Sequence, residues 1–93
     1  MAITVSVPGA LQAYAGGARV VRLHRPCSTV RDALRALGVQ CPGVVDRVLT
    51  EQGAVWDHVN LFVGEESIRL LGGLDASVCD GDAIEIIAAV SGG

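Results

Sequence analysis

Ninety-three residues at 51% apolar composition supply one small hydrophobic core and leave no room for a second domain, so residues 1–93 are expected to form a single domain. A formal charge of only −3, from ten acidic against seven basic residues, excludes both the highly charged disordered class and the basic patch of a nucleic-acid binder. No apolar run approaches the roughly 18 residues of a membrane span, and the Met1-Ala2-Ile3-Thr4-Val5 start lacks an export signal, which predicts a soluble, cytoplasmic, membrane-free protein.

In chain order, Ile3, Val5 and Val7 alternate with Ala2, Thr4 and Ser6, the period of a strand with one buried face. Pro8 and Gly9 end it. A loop around Tyr14-Ala15-Gly16-Gly17 leads to a second strand, with Val21 and Leu23 inward and Arg22 and His24 outward. These two strands are expected to pair antiparallel. Val30, Ala33, Leu34 and Leu37 then form a helical apolar stripe, with Arg31, Asp32 and Arg35 opposite. Thr29 with Asp32 resembles a capping box, and Gly38 is expected to stop the helix. A shorter helix follows Pro42, with Val44, Val45, Val48 and Leu49 on one side, ending by Gly53.

The second half returns to period two. Val59, Leu61 and Val63 alternate with His58, Asn60 and Phe62, and Gly64-Glu65-Glu66 turns the chain into a short strand over Ser67-Ile68-Arg69-Leu70. Residues 71–75 read as a loop and Asp80-Gly81-Asp82 as a tight turn. That turn launches residues 83–90, apolar on both faces, as in an interior strand covered at least partly on each side. The order strand, strand, helix, strand, short strand, strand specifies an α+β fold, a mixed sheet of four to five strands packed on one main helix. That is the β-grasp, or ubiquitin-like, arrangement, with Val90 to Gly93 as a flexible projecting tail.

Few side chains suggest chemistry. Cys27, Cys41 and Cys79 are odd in number, widely spaced and without a Cys-x-x-Cys pair, so free buried thiols are expected rather than a disulfide framework or a zinc site. His24 and His58 fall on outward positions and match no metal spacing. Glu65-Glu66 is a polar turn, and neither Gly16-Gly17 nor Gly72-Gly73 belongs to a phosphate loop. No catalytic residue and no metal site is expected.

The stretch Asp80-Gly81-Asp82-x-Ile84-x-Ile86-x-x-Ala89-Val90-Ser91-Gly92-Gly93 resembles the end of the ThiS/MoaD family of sulfur carriers. With Val59-Asn60-Leu61-Phe62-Val63, Ile68-Arg69 and Gly72-Gly73-Leu74, the likeness covers most of the chain, and it looks closest to the CysO-type branch that serves cysteine biosynthesis. One departure is Ala88, where that branch and many relatives carry Pro, which leaves the tail root less rigid. The resemblance implies a protein cosubstrate rather than an enzyme. The Gly93 carboxylate would be adenylated by a ubiquitin-activating-type adenylyltransferase/sulfurtransferase, converted to a thiocarboxylate, and delivered to a sulfur-accepting synthase. ATP and a sulfide source would belong to the activating partner and pyridoxal phosphate to the acceptor, with no cofactor on this chain. Rival readings are a molybdopterin synthase small subunit, a ubiquitin-like protein modifier, and a β-grasp binding module whose tail is incidental.

The tail suits such a role for physical reasons. A free carboxylate is anionic at neutral pH and a poor electrophile, so a partner must activate it. Gly92 and Gly93 lack a Cβ and can thread a narrow channel, and residues 90–93 span on the order of 13 Å when extended. Phe62, Leu70 and Ala88, with Val90, are expected to form an apolar docking surface beside the tail. All seven basic residues are Arg, so the chain offers no lysine as an isopeptide acceptor.

Overall fold

The computed structural model describes residues 2–88. Its strands are β1 (Thr4–Ser6), β2 (Val20–Arg22), β3 (Val59–Val63), β4 (Glu66–Ser67) and β5 (Ala83–Ala88), and its helices are α1 (Val30–Gln40) and α2 (Pro42–Val48). They make one five-stranded sheet in the order β2-β1-β5-β3-β4. β1 pairs antiparallel with β2 and parallel with β5, and β5 pairs antiparallel with β3. The first and last strands therefore lie side by side at the centre.

The alternation read in β1 and β2 is realised: Ile3, Val5, Val7, Val21 and Leu23 are all buried. They meet the helical stripe of Val30, Ala33, Leu34 and Leu37 together with Val44 and Val48 of α2, and Leu61, Ile84 and Ile86 complete one core. Truncating a fully buried leucine such as Leu34 or Leu61 costs about 2–5 kcal/mol in such a setting.

Helix α1 starts as its cap residues dictate, with the Thr29 hydroxyl accepting from the Asp32 N–H at 3.1 Å. The reciprocal arm is displaced by one residue, because the Asp32 carboxylate accepts from Ser28 N–H rather than from Thr29. Gly38 does not stop the helix, which runs on to Gln40. The stop is Pro42, which forces the preceding residue out of the helical region; Cys41 adopts φ −140° and ψ 72°. A Cβ at Gly38 would stand 3.7 Å from Val45, so this glycine lies where α2 folds back on α1.

Three further readings need correction. The stretch read as a loop around Tyr14 is a 3-10 helix, Gly9–Ala15, that buries Leu11 and closes on Gly16 in the left-handed region. The strand expected over residues 67–70 is only two residues of β4, after which Ile68–Leu70 turns as a 3-10 helix to bury Ile68. Residues 71–75, read as a loop, end in a third such turn, Gly73–Asp75, which packs against α1. The Asp80-Gly81-Asp82 turn stands as read, with Gly81 at φ 93°. The tail, 90–93, and the last two residues of the expected strand lie outside the described residues.

Candidate functional site

The ladder of β5 sets the surroundings of Ala88, the last described residue. The Gly64 N–H donates to the Ala83 carbonyl at 2.9 Å, and bonding alternates along an antiparallel pair. Asn60 and Phe62 of β3 are thus bonded to Ile87 and Glu85, while Val59 and Ala88 form a non-hydrogen-bonded pair at the far end. The Ala88 N–H faces the β1 side, beyond the last β1–β5 pair, Ser6 with Glu85. The strand reaches Ala88 beside Val59, whose N–H is held by the Trp56 carbonyl. Trp56 is itself exposed and lies against the His58 ring, centroids 6.0 Å apart.

The same period sorts side chains onto faces. Ile84 and Ile86 are buried, whereas Ala83, Glu85 and Ile87 are exposed. The expectation that β5 is covered on both faces is therefore wrong. The strand is interior within the sheet plane, flanked by β1 and β3, but one face is open; Glu85 was the sequence signal for it. Phe62 stands half-buried on that open face, directly across from Glu85 and diagonal to Ile87. Val20, at the β2 edge, extends the same row through Ser6. Ala88 points the other way and packs against the core. Leu70 is 80% exposed but lies in the 3-10 turn after β4. The structure thus separates Phe62 from Ala88 by the thickness of the sheet, and it brings Ile87 to the surface where Phe62 is found. Gly93, Gly92, Ser91 and Val90 lie outside the described residues.

The remaining candidates assemble no reactive cluster. His24 and His58 are exposed, as their positions implied. Cys41 is buried and Cys27 half-buried, whereas Cys79, expected to be buried, is exposed. The Asp82 carboxylate accepts from the Cys79 N–H at 2.9 Å and from its thiol at 3.6 Å; its negative charge, then the bond from the thiol, push the Cys79 thiol above the ordinary cysteine range. Burial, then the Asp32 charge, pushes the Cys27 thiol up as well. Among the described residues no group of three or more His, Cys, Asp or Glu side chains could hold a metal. A groove of about 430 Å³ beside β3 is lined by Val55, Leu61, Ile68 and Leu74, with Arg31 and Arg69 at its rim. Arg31 is ion-paired with Asp75, the one carboxylate lining the groove, and the lining includes no cysteine, serine or histidine. Among the described residues no helix is long and apolar enough to cross a membrane.

A mixed sheet with its first and last strands parallel at the centre and one face on a main helix defines a ubiquitin-like β-grasp protein. The ThiS family model matches residues 5–93, and the chain belongs to that family. It is 32% identical over 95 residues to "Sulfur carrier protein CysO" of Mycobacterium tuberculosis (strain ATCC 25618 / H37Rv), covering 100% of each chain. A chain of the Amycolatopsis orientalis BexX/CysO complex superposes with a TM-score of 0.89 at 34% identity, over 99% of this chain and 100% of that one. SAMP1 of Haloferax volcanii gives 0.82 at 30% identity, over 100% of both.

Proposed function

We propose that this chain carries sulfur as a thiocarboxylate on Gly93. The observation that supports the reading most directly is family membership across residues 5–93, a match that runs through the Gly92-Gly93 end. In the first step a carboxylate oxygen of Gly93 attacks the α-phosphorus of ATP on a ubiquitin-activating-type enzyme, and pyrophosphate leaves. Sulfide sulfur from the partner's donor then attacks the acyl carbon, AMP departs with the oxygen, and a thiocarboxylate remains. An acceptor synthase takes the sulfur. Likeness to CysO proteins favours a cysteine synthase-like acceptor carrying its own pyridoxal phosphate. The Amycolatopsis orientalis relative is seen in complex with BexX, which supports a carrier that works by docking on a partner protein. The chemistry resides in the partners, so the chain is a cosubstrate, working in the cytoplasm.

The described fold fits this division of labour. The central strand hands directly to residues 89–93, and the open face around Phe62 and Ile87 adjoins that hand-over. An activating enzyme that grips this face receives the tail in its nucleotide site, where glycines admit close approach and water is excluded.

Incubation with ATP, the activating enzyme and a sulfide source, followed by intact mass spectrometry, should show replacement of one oxygen by sulfur at the terminus. Removal of Gly92-Gly93 should abolish it while leaving the melting curve unchanged. No substitution on the intact chain, with a control carrier converted in parallel, would sink the proposal. The likeness to SAMP1 supports a second reading, a modifier joined through Gly93 to lysines of other proteins. Conjugates surviving denaturation of a lysate would identify it.

A further inference from the structure

The open face of the sheet carries one carboxylate among the described strand residues, and its register decides what can cover that face. Glu85 is exposed on β5, beside Ser6 of β1 and directly across from Phe62 of β3. Ala83 and Ile87, two residues before and after it, project from the same side and are exposed with it. Opposed residues stand roughly 5 Å apart, and residues two apart along a strand about 6.7 Å. Glu85 therefore rises inside a ring formed by a hydroxyl, an aromatic ring, a methyl and an isoleucine, none of which can neutralise it.

No cation among the described residues is paired with it. The ion pair they form is Arg31 with Asp75, and Glu85 takes part in none. Arg22 is the one cation in register on this face of the described strands; it pairs with Thr4, which pairs in turn with Ala83. That register sets Arg22 two strands over and two residues along from Glu85, about 12 Å by ordinary strand spacings. Nor does the carboxylate reach the rim of the face. β5 is the middle strand of five, so two strand spacings, about 10 Å, separate it from either edge.

Phe62 and Ile87 are the apolar residues that a partner on this face must contact, and Glu85 adjoins both. A partner that covers them takes the carboxylate out of water with them. Burying an unpaired carboxylate costs more than the surrounding apolar contacts return, so docking here is favourable only with an opposing charge at that point. Resting on the carrier reading above, we infer that the activating enzyme presents an arginine to Glu85 at the centre of an otherwise apolar surface. A guanidinium fits the spot better than an ammonium, because its plane can pair with the carboxylate through two N–H groups and lie against the neighbouring Phe62 ring. Glu85 is thereby a specificity-determining residue. An enzyme with a neutral or acidic residue at the same point leaves the carboxylate unpaired or repels it, and is rejected.

The test is calorimetric titration of the full chain into the activating enzyme without ATP, which reads docking apart from any chemistry at Gly93. Glu85→Gln keeps size and hydrogen bonding but removes the charge, and should weaken Kd about tenfold, the difference between a charge-assisted and a neutral hydrogen bond. Glu85→Val makes the patch apolar, and the sign of its effect decides. Kd should weaken roughly a hundredfold, because the partner's arginine is left buried without an acceptor. The unaltered chain should lose affinity with added salt more steeply than Glu85→Gln does. Glu51→Gln, in the turn after α2 and outside the sheet, should bind like the unaltered chain, and no variant should lower the urea midpoint. Tighter binding by Glu85→Val, or a Glu85→Gln Kd within about twofold of the unaltered chain's, would overturn the inference while leaving the carrier reading intact. No binding by the unaltered chain would overturn both.

Discussion

Ile87→Ala separates what the open sheet face contributes to folding from what it contributes to docking. The substitution removes three carbons, each worth about 0.8 kcal/mol on burial, for about 2.4 kcal/mol in all. Ile87 is 44% exposed, so about 1.3 kcal/mol is already committed to the fold and about 1.1 kcal/mol remains for a partner that covers the face. Loss of β propensity adds to the folding cost but not to the docking cost. The carrier's KM in ATP–pyrophosphate exchange with the activating enzyme should therefore rise about sixfold, the equivalent of 1.1 kcal/mol, with kcat little changed. Urea unfolding should report the stability loss separately, through its midpoint at constant slope. Val39→Ala is the control, because Val39 is 69% exposed on α1, away from the sheet face. An unchanged KM for Ile87→Ala, or an equal rise for Val39→Ala, would refute the assignment of this face to docking.

Three other outcomes follow from described contacts. Ala88→Pro forfeits no bond of the β3–β5 ladder, because the Ala88 N–H faces away from β3; thermal unfolding should shift by less than about 1 kcal/mol in either direction. Thr29→Ala removes the hydroxyl that holds the Asp32 N–H, and should lower stability by about 1 kcal/mol in a denaturant titration. Asp82→Asn removes the negative charge that raises the Cys79 thiol. The Cys79 pKa should fall, more thiolate should be present at a fixed pH, and the rate of iodoacetamide alkylation at pH 8 should increase.

What was legible in the chain is what periodicity controls. The inward residues of β1, β2, β3 and α1 follow from spacing, because a buried face repeats every two or every 3.6 residues. The short 3-10 turns escaped, since three residues carry no period and what decides them is tertiary: Leu11 and Ile68 turn in to reach the core. The helix end was misplaced because Gly38 looked like a stop, while the stronger steric effect came from Pro42 four residues on. The docking set mixed two faces for a related reason. An apolar Ala83-to-Val90 run suggests burial on both sides unless its one charge, Glu85, is allowed to mark the wet side.

The position of β5 also bears on how the protein is made. It is the last strand to be synthesised, yet it alone joins the β1–β2 hairpin to β3 and β4. Until the ribosome has released residue 88, the two halves of the sheet have nothing to bridge them, and the surface around Phe62 and Ile87 does not exist as a surface. Chains terminated before β5 therefore lack the face on which the proposed docking depends.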